Sequence, residues 1–279
     1  VNTPTPSYLC PPGYAPPRAS ALRRELRVGP EFGRYVAHQV GQRVGHRVVD
    51  DTAVPQPEGG EPVLMVPGFM AGDYTLGLLG KRLRTAGYRT YRAHIPANIS
   101  CVMANAARLE RRLETIADRR GSRVRIVGHS LGGLLGRGLA VRRPDLVSGV
   151  ISLGSPISAP GAHHPLLAAS LLVLMQLSKA GVPGVMSREC VTGACAQQSF
   201  DELRSPVPDD VEFTAFWSLR DGIVDPHSCY EADGDAIEVR ASHCGMVIDP
   251  AVLEKIVATL GRHRAAAGAA SALTALPAG

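Results

Sequence analysis

Three residue types at well-separated positions could together perform acyl-transfer chemistry: a serine, a carboxylate and a histidine. The serine is Ser130 in Gly128-His129-Ser130-Leu131-Gly132, a G-x-S-x-G pentapeptide preceded by the apolar run VRIV and followed by the helix-like run LGGLLGRGLAVR. A serine between a strand and a helix sits on a tight, strained turn that aims its Oγ away from the sheet, and flanking glycines leave room for that turn. Such a hydroxyl attacks a carbonyl only when a base takes its proton and a carboxylate orients the base. On a strand–turn–helix scaffold the partners follow in the order serine, acid, histidine. Two later segments supply them: Asp221 in SLRDGIVDP, just past FTAFWSL, and His243 in EVRASHCGM, just past AIEVRA. Asp225 is a rival acid, since it also follows the strand, though Asp-Pro is equally an ordinary turn initiator. Glu231, Asp233 and Asp235, in EADGD, read as a solvated hairpin turn.

A tetrahedral intermediate also needs hydrogen-bond donors aimed at the developing oxyanion. The backbone N–H of Leu131, directly after the serine, is one; the loop after an earlier strand, Pro67-Gly68-Phe69-Met70, stands where the second is expected. Taken together, VPGF, GHSLGG, DGIVDP and SHCGM resemble the α/β-hydrolase family, and within it the bacterial triacylglycerol lipases and esterases, over roughly residues 61 to 263. The resemblance implies the α/β-hydrolase fold, with Asp221 as the acid opening a D-x-x-V segment, His243 as the base and the N–H of Phe69 as the second oxyanion donor. Where the family often has His-Gly, this chain has Pro67-Gly68. Because backbone N–H groups do the work, that difference alters support of the loop more than the donor. The implied activity is hydrolysis of carboxylic esters through an acyl-enzyme, with an ester or lipid substrate and no metal or organic cofactor. Two other classes fit the same residues: an acyltransferase that admits an alcohol instead of water, and a non-catalytic lipid-binding or scaffold protein of the same fold.

The elements that must position these residues follow from periodicity. From Glu61 onward, β-branched runs (PVLMVPGF, YRTYRAHI, RVRIVGHS, VSGVISLGS, VEFTAFWSL, AIEVRAS) alternate with helical stretches near Thr75 to Ala86, Val102 to Arg120, Leu131 to Arg142 and Pro250 to His263. That alternation predicts an α/β protein with a mostly parallel sheet and helices on both faces, whose ligands bind beyond the carboxyl ends of the strands. One interval, residues 158–208, is too long for a loop and reads as a lid-like insertion. It holds the apolar run LLAASLLVLMQL, which suits either acyl chains and a lipid surface or plain core packing. Residues 1–60 read as a Pro-rich leader followed by a helical extension and a Pro/Gly linker, DDTAVPQPEGGEP, and 265–279 as an Ala-rich tail expected to fray.

Composition narrows the alternatives. The net charge of +5 arises from 30 Lys+Arg against 25 Asp+Glu, spread in pairs such as Arg111-Arg112 rather than gathered in a run, so a nucleic-acid partner is not expected. The N-terminal residues carry prolines where a signal peptide needs a basic and then an apolar region, which points to a cytoplasmic address. The six cysteines would instead suit a secreted protein if they formed disulfides, with Cys229–Cys244 and Cys190–Cys195 as candidate pairs. His163 and His164 with Cys190 and Cys195 could be imagined around zinc, but C-x-x-x-x-C matches no strong metal signature, and none is expected.

Overall fold

Six short runs become strands, most of them rich in β-branched and other apolar residues: β1 Pro62–Val66, β2 Arg89–Arg92, β3 Val124–His129, β4 Val147–Leu153, β5 Glu212–Trp217 and β6 Ala236–Glu238. They form one sheet in the order β2-β1-β3-β4-β5-β6, and every neighbouring pair is parallel. Parallel strands need crossovers: α2 Gly77–Thr85, α3 Val102–Arg120, α4 Leu131–Arg142 and then α5 Pro165–Lys179, α6 Arg188–Thr192 and α7 Ala194–Arg204 lie between successive strands from β1 to β5, whereas α1 Val28–Arg43 precedes the sheet and α8 Pro250–Thr274 follows it. This computed structural model describes residues 6–43, 59–231 and 234–274, with 38–43 and 266–274 described by their backbone only. Most of the linker DDTAVPQPEGGEP therefore lies outside the described residues, as does Asp233. No described helix is long and apolar enough to cross a membrane.

Alternation along buried strands builds two cores. Val63 and Met65 of β1 point to one face with Val127, Ile151 and Phe216, where α2 and α8 cover them. Leu64 and Val66 point to the other with Ile126 and Val150, under α3 and α4. In α3, Leu109, Leu113 and Ile116 recur at helical spacing and are fully buried. Each such side chain contributes about 1.5–3 kcal/mol of transfer free energy. This is the α/β-hydrolase arrangement expected of the alternation and of the resemblance, a parallel sheet flanked by helices on both faces.

Two local expectations differ from the structure. The EADGD segment is not a hairpin turn: β5 and β6 run parallel, so the chain between them must cross over, through a 3₁₀ turn at Pro226–Cys229. Glu231 and Asp235 are partnered there, Glu231 with the buried guanidinium of Arg137 (2.7 Å) and Asp235 as acceptor from the Thr214 hydroxyl (2.6 Å). The N-terminal leader is not loose from residue 6 onward. Leu9 O accepts from Gly161 N (2.6 Å), the Tyr8 ring packs on Phe200 (5.3 Å), and Ala15 N donates to Asp225 Oδ2 (3.1 Å). Its prolines shape turns that lie along the core rather than preventing order. The Ala-rich tail continues α8 as far as Thr274, in keeping with alanine's high helix propensity, and residues 275–279 lie outside the described residues.

Candidate active site

The strand register brings the sequence-predicted site residues to one edge. Val66 pairs with Gly128, His129 with Leu153, and Leu153 with Phe216, so the carboxyl ends of β1, β3, β4 and β5 are aligned. Ser130 follows β3 and caps α4 with φ 53° and ψ −120°. This is a left-handed, strained backbone for a residue with a side chain. The turn is held by Ser130 N donating to Leu153 O (2.8 Å) and by Ser130 O accepting from Gly133 N (2.9 Å). Glycine is required beside it: a Cβ on Gly128 would lie 2.3 Å from the Gly132 carbonyl oxygen.

Asp221 and His243, 22 residues apart in sequence, meet in the interior. His243 Nδ1 donates to Asp221 Oδ2 at 2.7 Å, and both residues are almost fully buried. The other carboxylate oxygen accepts from Ile223 N (2.8 Å) and Val224 N (2.9 Å), which fixes the acid in place. With Nδ1 bearing the proton, Nε2 is left as the basic nitrogen. Burial by itself lowers the imidazole pKa, but the charge and hydrogen bond of Asp221, with the Glu25 carboxylate, hold it above its ordinary 6.5. Asp225, the rival acid, caps the 3₁₀ turn at Pro226–Cys229 through His227 N (3.0 Å) and does not touch the imidazole.

Ser130 and Leu131 line a cavity of about 380 Å³ together with Phe69. Neither the Leu131 N–H, at the open start of α4, nor that of Phe69 has a protein acceptor among the described residues. Both residues line the cavity, so a cavity ligand could take up these N–H groups. No hydrogen bond joins Ser130 to His243 among the described residues; the two are linked through His129, whose ring lies 4.7 Å from that of His243. Catalytic hydrogen bonds of substrate-free sites are commonly long and tighten only around substrate.

Several residues that support the site carry no local signal. His129 Nε2–H donates to the His243 carbonyl (3.0 Å), and burial, then the neighbouring His243, hold its pKa down to about 3, so it stays a neutral prop. Asn98, fully buried, braces the Phe69 loop: its side-chain amide donates to Pro67 O (2.8 Å), its backbone carbonyl accepts from Met70 N (3.1 Å), and Asn105 Nδ2 donates to its Oδ1 (2.8 Å). The N-terminal extension reaches further in. Glu25 accepts from Gly222 N (2.9 Å), His243 N (3.0 Å) and Cys244 N (3.1 Å). The buried Glu31 accepts from Ser242 N (2.8 Å) and the Ser242 hydroxyl (2.5 Å), and Arg24 donates to Asp221 O (3.0 Å). The acid loop and the histidine loop are thus bound to one another by one carboxylate, Glu25, some two hundred residues upstream, and Glu31 ties down the histidine loop alone. A polar residue near a Pro-rich start offers no pattern that could have announced this.

Neither candidate disulfide is formed. The Cys229 thiol is turned into its own 3₁₀ turn toward Asp225 O (3.7 Å), while Cys244 is exposed on the histidine turn. The imagined zinc set also separates: His164 Nδ1 accepts from Leu166 N (3.1 Å) and Nε2 contacts Ala19 O (3.2 Å), away from the cysteines. The insertion, for its part, forms α5, α6 and α7 over the cavity. Leu167, Leu171, Leu172 and Met175 of α5 line it, whereas Leu166, Val173 and Leu177 are exposed on the outer side. The apolar run therefore lines the cavity on one side, while Leu174 is buried and Leu167 also packs on Ile223 and Val224.

No family model and no curated protein matches the sequence. Solved structures do resemble the fold. The chain is similar to a soluble variant of monoglyceride lipase from Saccharomyces cerevisiae, with a TM-score of 0.56 and 15% identity over 77% of this chain and 89% of that one. It is similar to Bacillus licheniformis lipase BlEst2 in mature form (TM-score 0.53, 14% identity, 73% of this chain and 94% of that). It is also similar to naproxen esterase from Bacillus subtilis (TM-score 0.51, 20% identity, 74% and 85%). At such identities the likeness is one of fold.

Proposed function

We propose that this protein is a serine hydrolase that cleaves carboxylic esters with apolar acyl groups through an acyl-enzyme. The observation that carries the reading is the buried Asp221–His243 pair at the edge where the strained Ser130 turn opens into an apolar cavity. In the mechanism, Ser130 Oγ attacks the ester carbonyl while His243 Nε2 takes its proton, and Asp221 stabilises the imidazolium. The N–H groups of Leu131 and Phe69 receive the oxyanion. His243 then protonates the departing alcohol, and in the second half it activates the water that frees the acid. The apolar lining from α5, and the known lipases and esterases among the similar folds, favour an aliphatic or lipid ester. The exposed leucines and valine on the outer side of α5 are suited to transient contact with a lipid surface.

Hydrolysis of a p-nitrophenyl ester series from acetate to palmitate, run beside Ser130→Ala, tests the reading. Turnover should fall by about 10⁶ in the variant, the scale on which a serine nucleophile is lost. Substantial activity in Ser130→Ala, or failure of a fluorophosphonate to label Ser130 in the wild-type chain, would sink it. Transfer of the acyl group to an added alcohol in preference to water would move the enzyme to the acyltransferases.

A further inference from the structure

Outside the triad, a second cluster of reactive groups stands at the cavity wall. Cys101 is the residue before α3, Cys190 lies in α6 and Cys195 in the first turn of α7, yet their sulfur atoms all lie within 4.8 Å of one another. All three are thiols and partly accessible. Their approach is built rather than incidental: Met186 N donates to Ile99 O (2.8 Å) and Ser100 Oγ to Gly184 O (2.7 Å), which lay the insertion along the start of α3. The Ser187 hydroxyl contacts Cys190 Sγ at 3.3 Å and holds it in the group. Cys10, Cys229 and Cys244 are not members.

We propose that Cys101, Cys190 and Cys195 form a three-thiolate site for zinc(II) that staples the insertion to α3. Thiolates are soft donors that select such cations over magnesium or calcium. A zinc–sulfur bond of about 2.3 Å sets sulfurs roughly 3.8–4.0 Å apart in a tetrahedral or trigonal site, a contraction of under about 1 Å from the observed limit and within reach of side-chain rotation. On binding, each thiol gives up its proton to solvent and its sulfur lone pair to the metal, with no change of oxidation state. Three protein ligands leave the fourth position of a tetrahedral ion to water. Because Cys190 also lines the cavity, a bound ion fixes one wall of the space that leads to Ser130.

The test uses the reduced full-length chain and zinc(II) alone, in competition with a chromophoric chelator. One zinc per chain is expected, with affinity lower by at least about 100-fold in Cys190→Ser and unchanged in Cys10→Ser. Alkylation of the wild-type chain by iodoacetamide, mapped by peptide mass, keeps the test independent of folding in the variant. Zinc should shield Cys101, Cys190 and Cys195 while leaving Cys244 equally reactive. No zinc retained against the chelator, or no shielding of the three thiols, overturns the proposal. So does isolation of a chain two hydrogens lighter before reduction, with Cys101 bonded to Cys190 or Cys195, which would make the cluster a disulfide site. None of these outcomes bears on whether Ser130 is the nucleophile.

Discussion

Removal of the Glu25 carboxylate is the perturbation that most sharply separates support of the site from mere attachment of the N-terminal extension. Glu25 accepts three backbone hydrogen bonds, two of them from the buried residues Gly222 and His243 and one from the exposed Cys244. Glu25→Ala leaves the two buried donors without an acceptor, at about 1–3 kcal/mol each. Since Glu25 is itself partly exposed and water can reach the gap, the lower half of that range applies: about 2–4 kcal/mol in all. For a domain of this size the loss corresponds to a melting temperature lower by about 4–8 °C. Loosening of the His243 loop should lower kcat/KM by about 10–100-fold, the usual consequence of misplacing a base. Glu25→Gln behaves differently, because its amide oxygen can keep the bonds to Gly222 and His243 and set its NH₂ toward the exposed Cys244 amide. Stability should then fall by less than about 1 kcal/mol. The negative charge is nevertheless gone, and that charge is one of the causes holding the His243 pKa above 6.5.

The sign follows directly. In the proposed mechanism neutral His243 is the base, so kcat/KM falls as pH drops through its raised pKa, and a lower pKa moves that acid limb to lower pH in Glu25→Gln. Stability runs the other way: a raised folded-state pKa contributes stability that is fully present below the unfolded value of about 6.5 and is lost as pH rises through the folded value. The assay is kcat/KM for a p-nitrophenyl ester across pH, with thermal unfolding of the same samples. An acid limb that stays at the wild-type position in Glu25→Gln, or a Glu25→Ala chain with wild-type kcat/KM, refutes the reasoning.

Asp221→Asn should keep the fold and lower kcat by about 10⁴, because its oxygen remains held by the Ile223 and Val224 amides while its NH₂ faces His243 Nδ1 and enforces the unproductive tautomer; a loss under tenfold in steady-state assays would contradict this. Gly128→Ala puts a methyl 2.3 Å from Gly132 O and must displace the Ser130 turn, so fluorophosphonate labelling should slow by about 100-fold or more, and wild-type labelling would show that the turn is not the constraint described. Asn98→Ala leaves Pro67 O and the Asn105 amide without their partner and frees the Phe69 loop. It should cost about 2–4 kcal/mol in denaturant unfolding and lower kcat by about 10–100-fold with little change in KM; a rise in KM alone would assign the loop to substrate binding instead.

Much of this was legible in the chain. The strands around Val63, Ile126, Val150 and Phe216 announce themselves by composition, and α3 by the spacing of Leu109, Leu113 and Ile116, because burial imposes a period on neighbouring residues. Ser130 is readable for a similar reason: a strained turn between strand and helix demands glycines within a few positions of it. Asp221 and His243 stand just after successive strands, at the edge where a parallel sheet presents its loops. All of these are local or topological constraints, and they leave marks in short windows of sequence.

What only the tertiary structure decided are the pairings whose partners lie far apart in the chain. Glu25 reaches His243 across 218 positions and Glu31 reaches Ser242 across 211. A carboxylate that accepts from backbone N–H groups places no demand on the side chains it serves, so no complementary residue marks the partner. The same holds for Asn98 beneath the Phe69 loop, and for Cys101, whose place beside Cys190 and Cys195 depends on how the insertion lies along α3. Sequence determined the sheet, its edge and the candidate site residues, because period and strain act on neighbours. The folded chain alone decided what holds the acid and the base together and what walls the cavity, because those contacts are made through space by groups whose types are common everywhere.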